Sequence, residues 1–504
     1  MELVKITRSL RILVSILIVL APTSVWLVSG PTGPFEGRPQ VDYPAMESIL
    51  EPDMTGRSQM ADAIMERSLM RRMALSARNA LDFYVFGQVE TETIVTGAPG
   101  WLFYKQQFIA WNCESMDLNR RGLEGLRFQA EWASAGDVPI LFAIAPNKAT
   151  IEPEQVVGRA ARHMTACYNE IESELRRVAA EDRTGLIVDH AAELRRIRGE
   201  AAQYYQIDSH WNSESAVAGF NQLLSAPPFS IGMPQTEYET VPHTILPGMA
   251  QNILLLNITE DSLRVLPEPV EWTDDLAGRY PEGVVVYHDS FYASLIHMFR
   301  ARLNQPETID VNMAQEGRMR ALLASAGAVV AERVERNILA NYANPGRTAG
   351  NRDIYEWIRE RNAETASQCA WEQSLDMRAE NGAEWRRMAQ AEDGRFHPSE
   401  SNARVMLPVP SEWGEGPVCA RITIEVGSRE MAQLFVPGGL DPDVPYVGSR
   451  SVVWNLDPGE HELMVVLPGT VAGGVLRLHP VASSRDFAIS DLVLAPRFAP
   501  VMDQ

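Results

Sequence analysis

Two short segments of this chain carry side chains that could share one catalytic task. The first, DSHWN, contains Asp208 and His210, and in an extended backbone residues two apart point to the same side. The second, HDSF, contains Ser290 just after an apolar run. A serine hydroxyl becomes a nucleophile when an imidazole removes its proton and a carboxylate orients that imidazole. The residue types therefore predict a triad in which Ser290 is the nucleophile, His210 the base and Asp208 the orienting acid.

Each segment also has a purely structural interpretation. Asp-Ser before a helix is a common N-cap, and Asp208 likewise precedes a predicted helix start. His288 is a second imidazole beside Ser290, although a near neighbour in sequence would have difficulty reaching the hydroxyl. The catalytic interpretation depends on the two segments occurring together, because both lie where a loop meets a helix in one predicted domain.

The elements around these segments predict an α/β domain over residues 85–345. Short apolar runs (VPILFAIA, GLIVD, GVVVY and AVVAERV) alternate with amphipathic helical segments. Apolar runs of this kind between helices are typical of a parallel sheet that is covered on both faces. Ligands bind such sheets at the carboxyl ends of the strands, which is where Ser290 would lie.

The carboxyl-terminal part of the chain has a different pattern. Residues 346–394 predict a helical connector, and residues 395–504 contain short alternating strands about a dozen residues apart, as in an antiparallel β-sandwich. Small sandwiches in exported enzymes often bind carbohydrate, although the fold alone does not establish this. Trp413 and Trp454 are the candidates for stacking on sugar rings, and the alternative is that one or both lie in the core.

The amino-terminal region predicts export. Residues 12–35 lack charge and follow Lys5, Arg8 and Arg11, and roughly 20 apolar residues suffice to cross a bilayer. We expect residues 1–35 to form an uncleaved inner-membrane anchor that leaves the rest of the chain in the periplasm. A removed signal peptide is the alternative. Residues 36–84 would then form a linker and a helical region.

Composition excludes some functions and indicates an oxidising compartment. The net charge of -21, from 45 basic and 66 acidic residues, makes a nucleic-acid partner improbable. The four cysteines contain no CxxC pair, so no metal site is expected, and no cofactor motif is present. We expect the local bridges Cys113–Cys167 and Cys369–Cys419, with reduced core cysteines as the alternative.

Five motifs together resemble a known family. They are GWLFY at 100–104, APNKATIEPE at 145–154, DSHWN at 208–212, HDSF at 288–291 and ERVERN at 332–337. In this order they resemble the alginate O-acetyltransferase family of AlgJ/AlgX-like proteins, which have an SGNH-hydrolase-like domain and are also called DHHW proteins.

The resemblance implies a three-layer SGNH-hydrolase-like fold with a permuted triad order, because Asp208 and His210 precede Ser290. It also implies a carbohydrate-binding-module-like sandwich at the carboxyl end. Family members are periplasmic and transfer acetyl groups through an acetyl-serine to hydroxyls of an exported, alginate-like polysaccharide. The implied partners are that polysaccharide, a membrane-bound acyltransferase that supplies acetyl, and other export-complex proteins.

Four further residues are candidates for substrate contacts. Asn147 is a candidate oxyanion donor, because an SGNH-like site needs a side-chain amide. Lys148 follows a strand end and would meet sugar hydroxyls or a carboxylate, unless it is a solvated loop lysine. Trp211 would wall the pocket. Arg336 is a substrate candidate, with pairing to a neighbouring glutamate in ERVERN as the alternative.

Two other functions remain open at this point. The same triad would make an esterase if water were the acceptor instead of a sugar hydroxyl. A non-catalytic polysaccharide-binding scaffold of an export complex would use both domains for recognition alone, and it would tolerate Ser290→Ala.

Overall fold

The structure is a computed structural model that places most of the chain beyond residue 40. It describes residues 41–50, 54–199, 202–227, 229, 238–245, 249, 253–256, 260–267, 283–302, 306–310, 316–344, 346, 349–378, 382–393, 395–400, 402–440, 444–481 and 487–498. The predicted anchor at 1–35 lies outside these residues. Within them, no helix has both the length and the apolar character needed to cross a bilayer.

The helices precede and flank the strands of the first domain and continue to the start of the second. In chain order they are α1 Met46–Leu50, α2 Thr55–Glu66, α3 Leu69–Ala80, α4 Gln106–Ile109, α5 Met116–Ala135, α6 Lys148–Ile151, α7 Gly158–Ala161, α8 Ala166–Ala180, α9 His190–Ile197, α10 Ser213–Ser225, α11 Ser290–Ala293, α12 Ile296–Arg302, α13 Glu316–Ala324, α14 Glu335–Tyr342 and α15 Ala349–Ala366. A π-helical turn, Leu81–Val85, continues α3.

The strands of the first domain are β1 Ile94–Thr96, β2 Leu102–Tyr104, β3 Ile140–Ala145, β4 Ile187–Asp189, β5 Tyr238–Ile245, β6 Glu260–Pro267, β7 Val284–His288, β8 Glu307–Asp310 and β9 Ala328–Val334. Those of the second are β10 Leu375–Asp376, β11 Glu384–Arg386, β12 Met388–Gln390, β13 Phe396–Pro398, β14 Arg404–Pro408, β15 Val418–Val426, β16 Glu430–Phe435, β17 Ser451–Leu456, β18 Gly459–Leu467, β19 Val475–His479 and β20 Phe487–Pro496.

The first domain is built on a parallel sheet with strand order β4-β3-β9-β7-β8. Every residue of β3, β7 and β9 is buried. Because successive side chains of a strand point to opposite faces, both faces of this sheet must be covered. The predicted α/β class is thereby confirmed.

This topology determines where a site can form. Strands β3, β9 and β7 are neighbours and run in the same direction, so their carboxyl ends meet at one edge of the sheet. The residues that follow are Asn147 and Lys148 after β3, Asp289 and Ser290 after β7, and Arg336 after β9. Three of the motifs noted in the sequence therefore converge at that edge.

The second domain is the predicted β-sandwich. One antiparallel sheet has the order β12-β13-β20-β15-β18, with β10 also paired to β20, and the other has the order β11-β14-β19-β16-β17. In the described residues of the predicted connector, the α-helix is Ala349–Ala366, a short 3-10 turn follows at Trp371–Gln373, and strands begin at Leu375, so a helical extension to residue 394 was wrong. Strands β10, β11 and β12 already pair with sandwich strands, and short edge strands of three residues or fewer carry too little periodicity to be recognised.

Both predicted disulfides are present and account for all four cysteines. Cys113–Cys167 joins the start of α5 to α8, and Cys369–Cys419 joins the segment after α15 to strand β15. The prediction of two local bridges is confirmed, and an oxidising compartment outside the cytoplasm fits them.

Candidate active site

Ser290 lies at the turn between β7 and α11. The side chain of Asp289 caps α11 by accepting the Phe291 N–H at 2.9 Å, and its other oxygen accepts the Val334 N–H at 2.8 Å. These two contacts fix the turn between neighbouring strand ends. Ser290 follows as the first helical residue and is exposed, so its hydroxyl is open to a substrate.

The structure brings Ser290, His210 and Asp208 into one hydrogen-bonded chain. His210 Nε2 is 2.9 Å from Ser290 Oγ, and His210 Nδ1 is 2.6 Å from Asp208 Oδ1. Both distances lie within the range expected for a nucleophile, its base and the group that orients the base. The imidazole side chain is 34% exposed, whereas the carboxylate side chain is only 8% exposed.

The surroundings of Asp208 keep it ionised. Burial alone would raise the pKa of this carboxyl group, but the hydrogen bond and charge of His210 outweigh burial and lower the pKa to about 2. The N–H groups of Ser209 and His210 also donate to Asp208 Oδ1, at 2.6 and 3.2 Å. An ionised carboxylate at Nδ1 favours the tautomer whose Nε2 accepts the serine proton.

Lys148 holds the loop that carries Asp208. Its ammonium group donates to the carbonyl oxygens of Leu102, Gln206 and Asp208 at 2.8, 2.7 and 3.0 Å, and it lies 4.7 Å from the ring centroid of Trp101. The side chain is only 2% exposed, so the predicted contact with sugar was wrong. The ammonium group is used instead to join the β2 hairpin to the Asp208 loop.

Trp211 joins the two catalytic segments from inside the protein. Its indole N–H donates to the Phe291 carbonyl at 3.2 Å, and its ring stacks on Tyr292 at 6.0 Å. It is 2% exposed, so the prediction that it walls an open pocket was wrong. The ring that lies beside His210 is that of Phe291, with centroids 5.0 Å apart.

Arg336 brings a positive charge close to the triad. Its guanidinium lies 5.5 Å from the Phe291 ring and 5.3 Å from the Tyr104 ring, and it donates to Asn147 Oδ1 at 3.1 Å. Burial lowers the pKa of Arg336. Glu335 does not provide the alternative pairing for Arg336. Its carboxylate instead accepts hydrogen bonds from the Asn147 N–H and the Thr150 hydroxyl.

Asn147 is fully buried, and its side-chain oxygen accepts the hydrogen bond from Arg336. It therefore has no exposed surface from which to donate to a substrate oxyanion, and that prediction was wrong. Its observed contact positions Arg336, which is half-buried.

A buried carboxyl group behind the nucleophile was not anticipated from the sequence. Glu332 Oε2 accepts the Asp289 N–H at 2.9 Å, and Glu332 has no solvent exposure. Burial, together with the negative charge of Asp289, raises the pKa of Glu332 well above its ordinary value. This shift favours the protonated form of Glu332, which supports the Asp289 turn with less negative charge beside Ser290 than a carboxylate would add. Glu332 is the first residue of the ERVERN motif, and that motif was the sequence signal that could have pointed to it.

Three other candidates lie away from the triad chemistry. His288 is buried and its Nδ1 lies 2.7 Å from the Asp289 carbonyl, which does not support a role as the base. Trp454 is 6% exposed on a strand face with Val452 and Leu456, so its predicted exposure was wrong. Trp413 is half-buried and packs against the core.

No group of three or more His, Cys, Asp or Glu side chains in the described residues has an arrangement that could hold a metal ion. The arrangement that is present is suited to acyl transfer through a serine.

Residues 94–277 match the family model described as the SGNH hydrolase-like domain of the acetyltransferase AlgX. Over these residues the chain is similar to the AlgX-type acetyltransferase domain. The matched part includes Asp208 and His210, and Ser290 follows it by 13 residues (290 − 277). No curated protein matches the chain.

Solved structures resemble this chain at low sequence identity. The O-acetyltransferase domain of AlgJ from Pseudomonas putida is 17% identical, covers 49% of this chain and 92% of its own, and has a TM-score of 0.34. AlgX from Pseudomonas aeruginosa is 13% identical over 80% of this chain and 94% of its own, with a TM-score of 0.35. PatB1 from Bacillus cereus is 13% identical over 50% of this chain and 96% of its own, with a TM-score of 0.36.

Proposed function

We propose that this protein is a periplasmic polysaccharide O-acetyltransferase that carries acetyl on Ser290 and passes it to hydroxyls of an exported, alginate-like polysaccharide. The observation that supports the proposal most directly is the continuous hydrogen-bonded chain from Ser290 through His210 to Asp208. The AlgX-type domain match supports acetyl transfer as the reaction class.

In the first half-reaction, Ser290 Oγ attacks the carbonyl carbon of an acetyl donor while His210 Nε2 accepts the hydroxyl proton. The bond from the carbonyl carbon to the leaving group then breaks, and the leaving group takes the proton from His210. The Asp208 carboxylate stabilises the imidazolium between these steps. The products are acetyl-Ser290 and the protonated leaving group.

In the second half-reaction, a sugar hydroxyl attacks the acetyl-serine. His210 accepts the sugar's proton and returns it to Ser290 Oγ as the ester bond to the serine breaks. No cofactor enters either half-reaction. Acetyl-CoA is absent from the exported compartment, so a membrane-bound acyltransferase is the proposed acetyl supplier.

Arg336 is the proposed cation of the site. Its guanidinium lies beside Phe291, which follows the nucleophile directly, and Asn147 holds it in place. A fixed positive charge near the reacting carbonyl would stabilise the oxyanion, or it would bind a sugar carboxylate. Arg336→Gln separates these roles, because loss of kcat on a small neutral ester points to the oxyanion, whereas an effect confined to acidic glycans points to the carboxylate.

Hydrolysis is the second candidate function, and one observation favours it. Ser290 is exposed and His210 is one-third exposed, so water can reach an acetyl-serine as readily as a sugar can. In that case the protein would be an esterase that removes acetyl groups with the same three residues.

The proposed function is tested with the purified protein, an activated acetyl ester and uronic-acid oligosaccharides. Intact-protein and peptide mass spectrometry should find one acetyl group on Ser290, and the oligosaccharide should gain acetyl groups. Acetate release without acetylated oligosaccharide would identify an esterase.

Ser294 provides the matched control. It is an exposed serine four residues after the nucleophile, and its hydroxyl donates to the Phe291 carbonyl at 3.1 Å. Ser294→Ala should retain acetylation, whereas Ser290→Ala should lose it. Full polysaccharide acetylation in cells carrying Ser290→Ala would contradict catalysis and favour the scaffold role.

The sandwich is the proposed polysaccharide-binding domain. The proposed binding surface lies around Arg477 and not around Trp413 and Trp454. The Arg477 guanidinium lies 4.2 Å from the Phe435 ring and 4.5 Å from the Tyr446 ring, and Arg404 lies on the neighbouring strand. Cations beside aromatic rings suit an acidic sugar. Arg477→Gln in the full chain should weaken retardation in gels that contain alginate, without changing the hydrolysis of a small ester.

A further inference from the structure

Helix α3 and the π-helical turn that follows it present an apolar face to solvent. Met70, Met73, Leu81 and Tyr84 are all exposed, Met73 by 58% and Tyr84 by 64%. Ala77 lies between them and is also exposed. Spacings of three and four residues place these side chains on one face of the helix.

Two uncharged polar side chains of the same helix, Ser76 and Asn79, face the protein. Ser76 Oγ donates to the Leu255 carbonyl at 2.9 Å, and Asn79 Nδ2 donates to the Leu254 carbonyl at 2.9 Å. Asn79 is only 6% exposed. Helix α3 thus turns these two polar side chains inward and several large apolar side chains outward, whereas a surface helix of a globular protein usually buries its apolar face.

The exposed apolar side chains are concentrated rather than scattered. Of the fifteen large hydrophobic side chains that are exposed in the described residues, eleven lie between residues 43 and 86. They are Tyr43, Met46, Met54, Ile64, Met65, Met70, Met73, Leu81, Tyr84, Val85 and Phe86. Concentration of this kind marks an interaction surface, whereas single exposed side chains need no explanation.

The charge of this region also differs from that of the chain. Residues 67–81 contain four arginines, at 67, 71, 72 and 78, and no acidic residue, although the whole chain carries a net charge of -21. The Arg78 side chain is 71% exposed and pairs with Asp82 at 3.7 Å, the one acidic residue between 67 and 86. A helix with an exposed apolar face, flanking arginines and aromatic residues at its end has the composition of helices that lie at a bilayer surface.

We propose that α3 and residues 81–86 lie flat in the headgroup region of a bilayer that contains anionic lipid. The predicted membrane segment ends at residue 35, and the six residues from there to Val41 span about 20 Å at most. Val41 is fixed to the end of α2, because its N–H donates to Glu66 Oε2 at 2.8 Å. The end of α2 adjoins α3, so a chain anchored at 12–35 holds α3 near the lipid surface.

A groove beside α3 supports a lipid rather than a folded protein as the occupant. It has a volume of about 530 Å³, and its lining includes Leu69, Met73, Ala77 and Leu255, with Arg72 at the same groove. An apolar groove with a cation suits part of an acyl chain and its phosphate. The proposal is independent of acetyl transfer, because none of these residues touches the triad.

The test uses the full-length chain with a nitroxide label on one introduced cysteine. All four native cysteines are in disulfides, so Met73→Cys or Tyr84→Cys supplies a single thiol. Val444→Cys is the matched control, since Val444 is exposed on the sandwich. Each protein is inserted into vesicles of phosphatidylcholine with phosphatidylglycerol, or of phosphatidylcholine alone, and recovered by flotation.

Collision of the label with a water-soluble nickel chelate should fall severalfold at positions 73 and 84 in the vesicles with phosphatidylglycerol, while collision with oxygen rises. Position 444 should not change. Replacing Arg72 and Arg78 together by Gln should reduce this protection, because anionic lipid attracts arginine near the surface.

Three results would overturn the proposal. Labels at 73 and 84 that collide with nickel as freely as the label at 444 would show a face in water. Dipolar broadening between labels would show a face buried against a second copy. Failure of the full-length chain to float with either vesicle would show that the protein does not bind a bilayer of either composition.

Discussion

Replacing Lys148 by Met should separate the stability of the Asp208 loop from the chemistry of the triad. The ammonium group donates to three carbonyl oxygens, and one of them belongs to Asp208 itself. Methionine keeps most of the side-chain volume against Trp101 and removes the three hydrogen bonds. The β2 hairpin and the Asp208 loop would then lose their common donor.

The magnitude follows from two opposing contributions. Three hydrogen bonds to a charged donor stabilise the fold by about 5 to 9 kcal/mol in total at about 1.5 to 3 kcal/mol each. Returning a buried ammonium to water in the unfolded state offsets several kcal/mol of this. We expect a net loss of about 2 to 4 kcal/mol in the free energy of unfolding. A displacement of the loop by about 1 Å would lower kcat on the order of 100-fold.

The assay measures hydrolysis of a small acetyl ester well below the unfolding temperature, with urea denaturation of the same preparation. A positioning role predicts a fall in kcat with little change in KM, since Lys148 is too deeply buried to touch the ester. Lys105→Met is the matched control, because Lys105 follows β2 directly but pairs with Glu90 at 3.0 Å and not with the Asp208 loop. That change should cost about 1 kcal/mol or less and leave kcat unchanged.

Two results would refute this reasoning. A Lys148→Met protein as stable as the parent would show that the three hydrogen bonds contribute nothing net. A less stable protein with full kcat in its folded form would show that Lys148 supports the fold without positioning Asp208.

The other predictions concern the triad and one disulfide. Asp208→Asn should lose about 2 kcal/mol of stability at pH 7, because the folded pKa is about 2 against an ordinary 3.8. This contribution is fully present above about pH 4 and is lost as the pH falls through the folded-state pKa of about 2. The urea midpoints of variant and parent should therefore converge toward pH 2, and midpoints that stay equally far apart would contradict this prediction. Asp208→Asn should also lower the rate on the order of 10⁴-fold in an ester assay. Ser290→Ala with His210→Ala should be hardly slower than either single change, and multiplied losses would rule out a triad. Replacing both Cys369 and Cys419 by Ser should lower the free energy of unfolding of the sandwich by about 2 to 4 kcal/mol in urea denaturation, and an unchanged free energy would contradict that.

The sequence by itself determined the sheet and the grouping of Asp208, His210 and Ser290. Continuous burial in β3, β7 and β9 follows from their uninterrupted apolar residues, since a strand covered on both faces has no polar side to show. Asp208 and His210 could be paired because their spacing is local, and Ser290 because a strand-to-helix turn exposes its first residue. The cysteine bridges were also predictable, since each joins two cysteines that are adjacent in the order of the four, with 54 and 50 residues of separation.

Tertiary structure alone decided the roles of the polar and aromatic side chains around that triad. Lys148 and Arg336 each follow a strand end, yet the first is enclosed by three carbonyl oxygens and the second lies beside the Phe291 ring. Trp454 is buried because its strand face turns toward the opposite sheet, and Trp211 because α11 packs against it. Local patterns specify which residues share a face. They do not specify what covers that face, because the covering elements are distant in the chain and are brought there only by the fold.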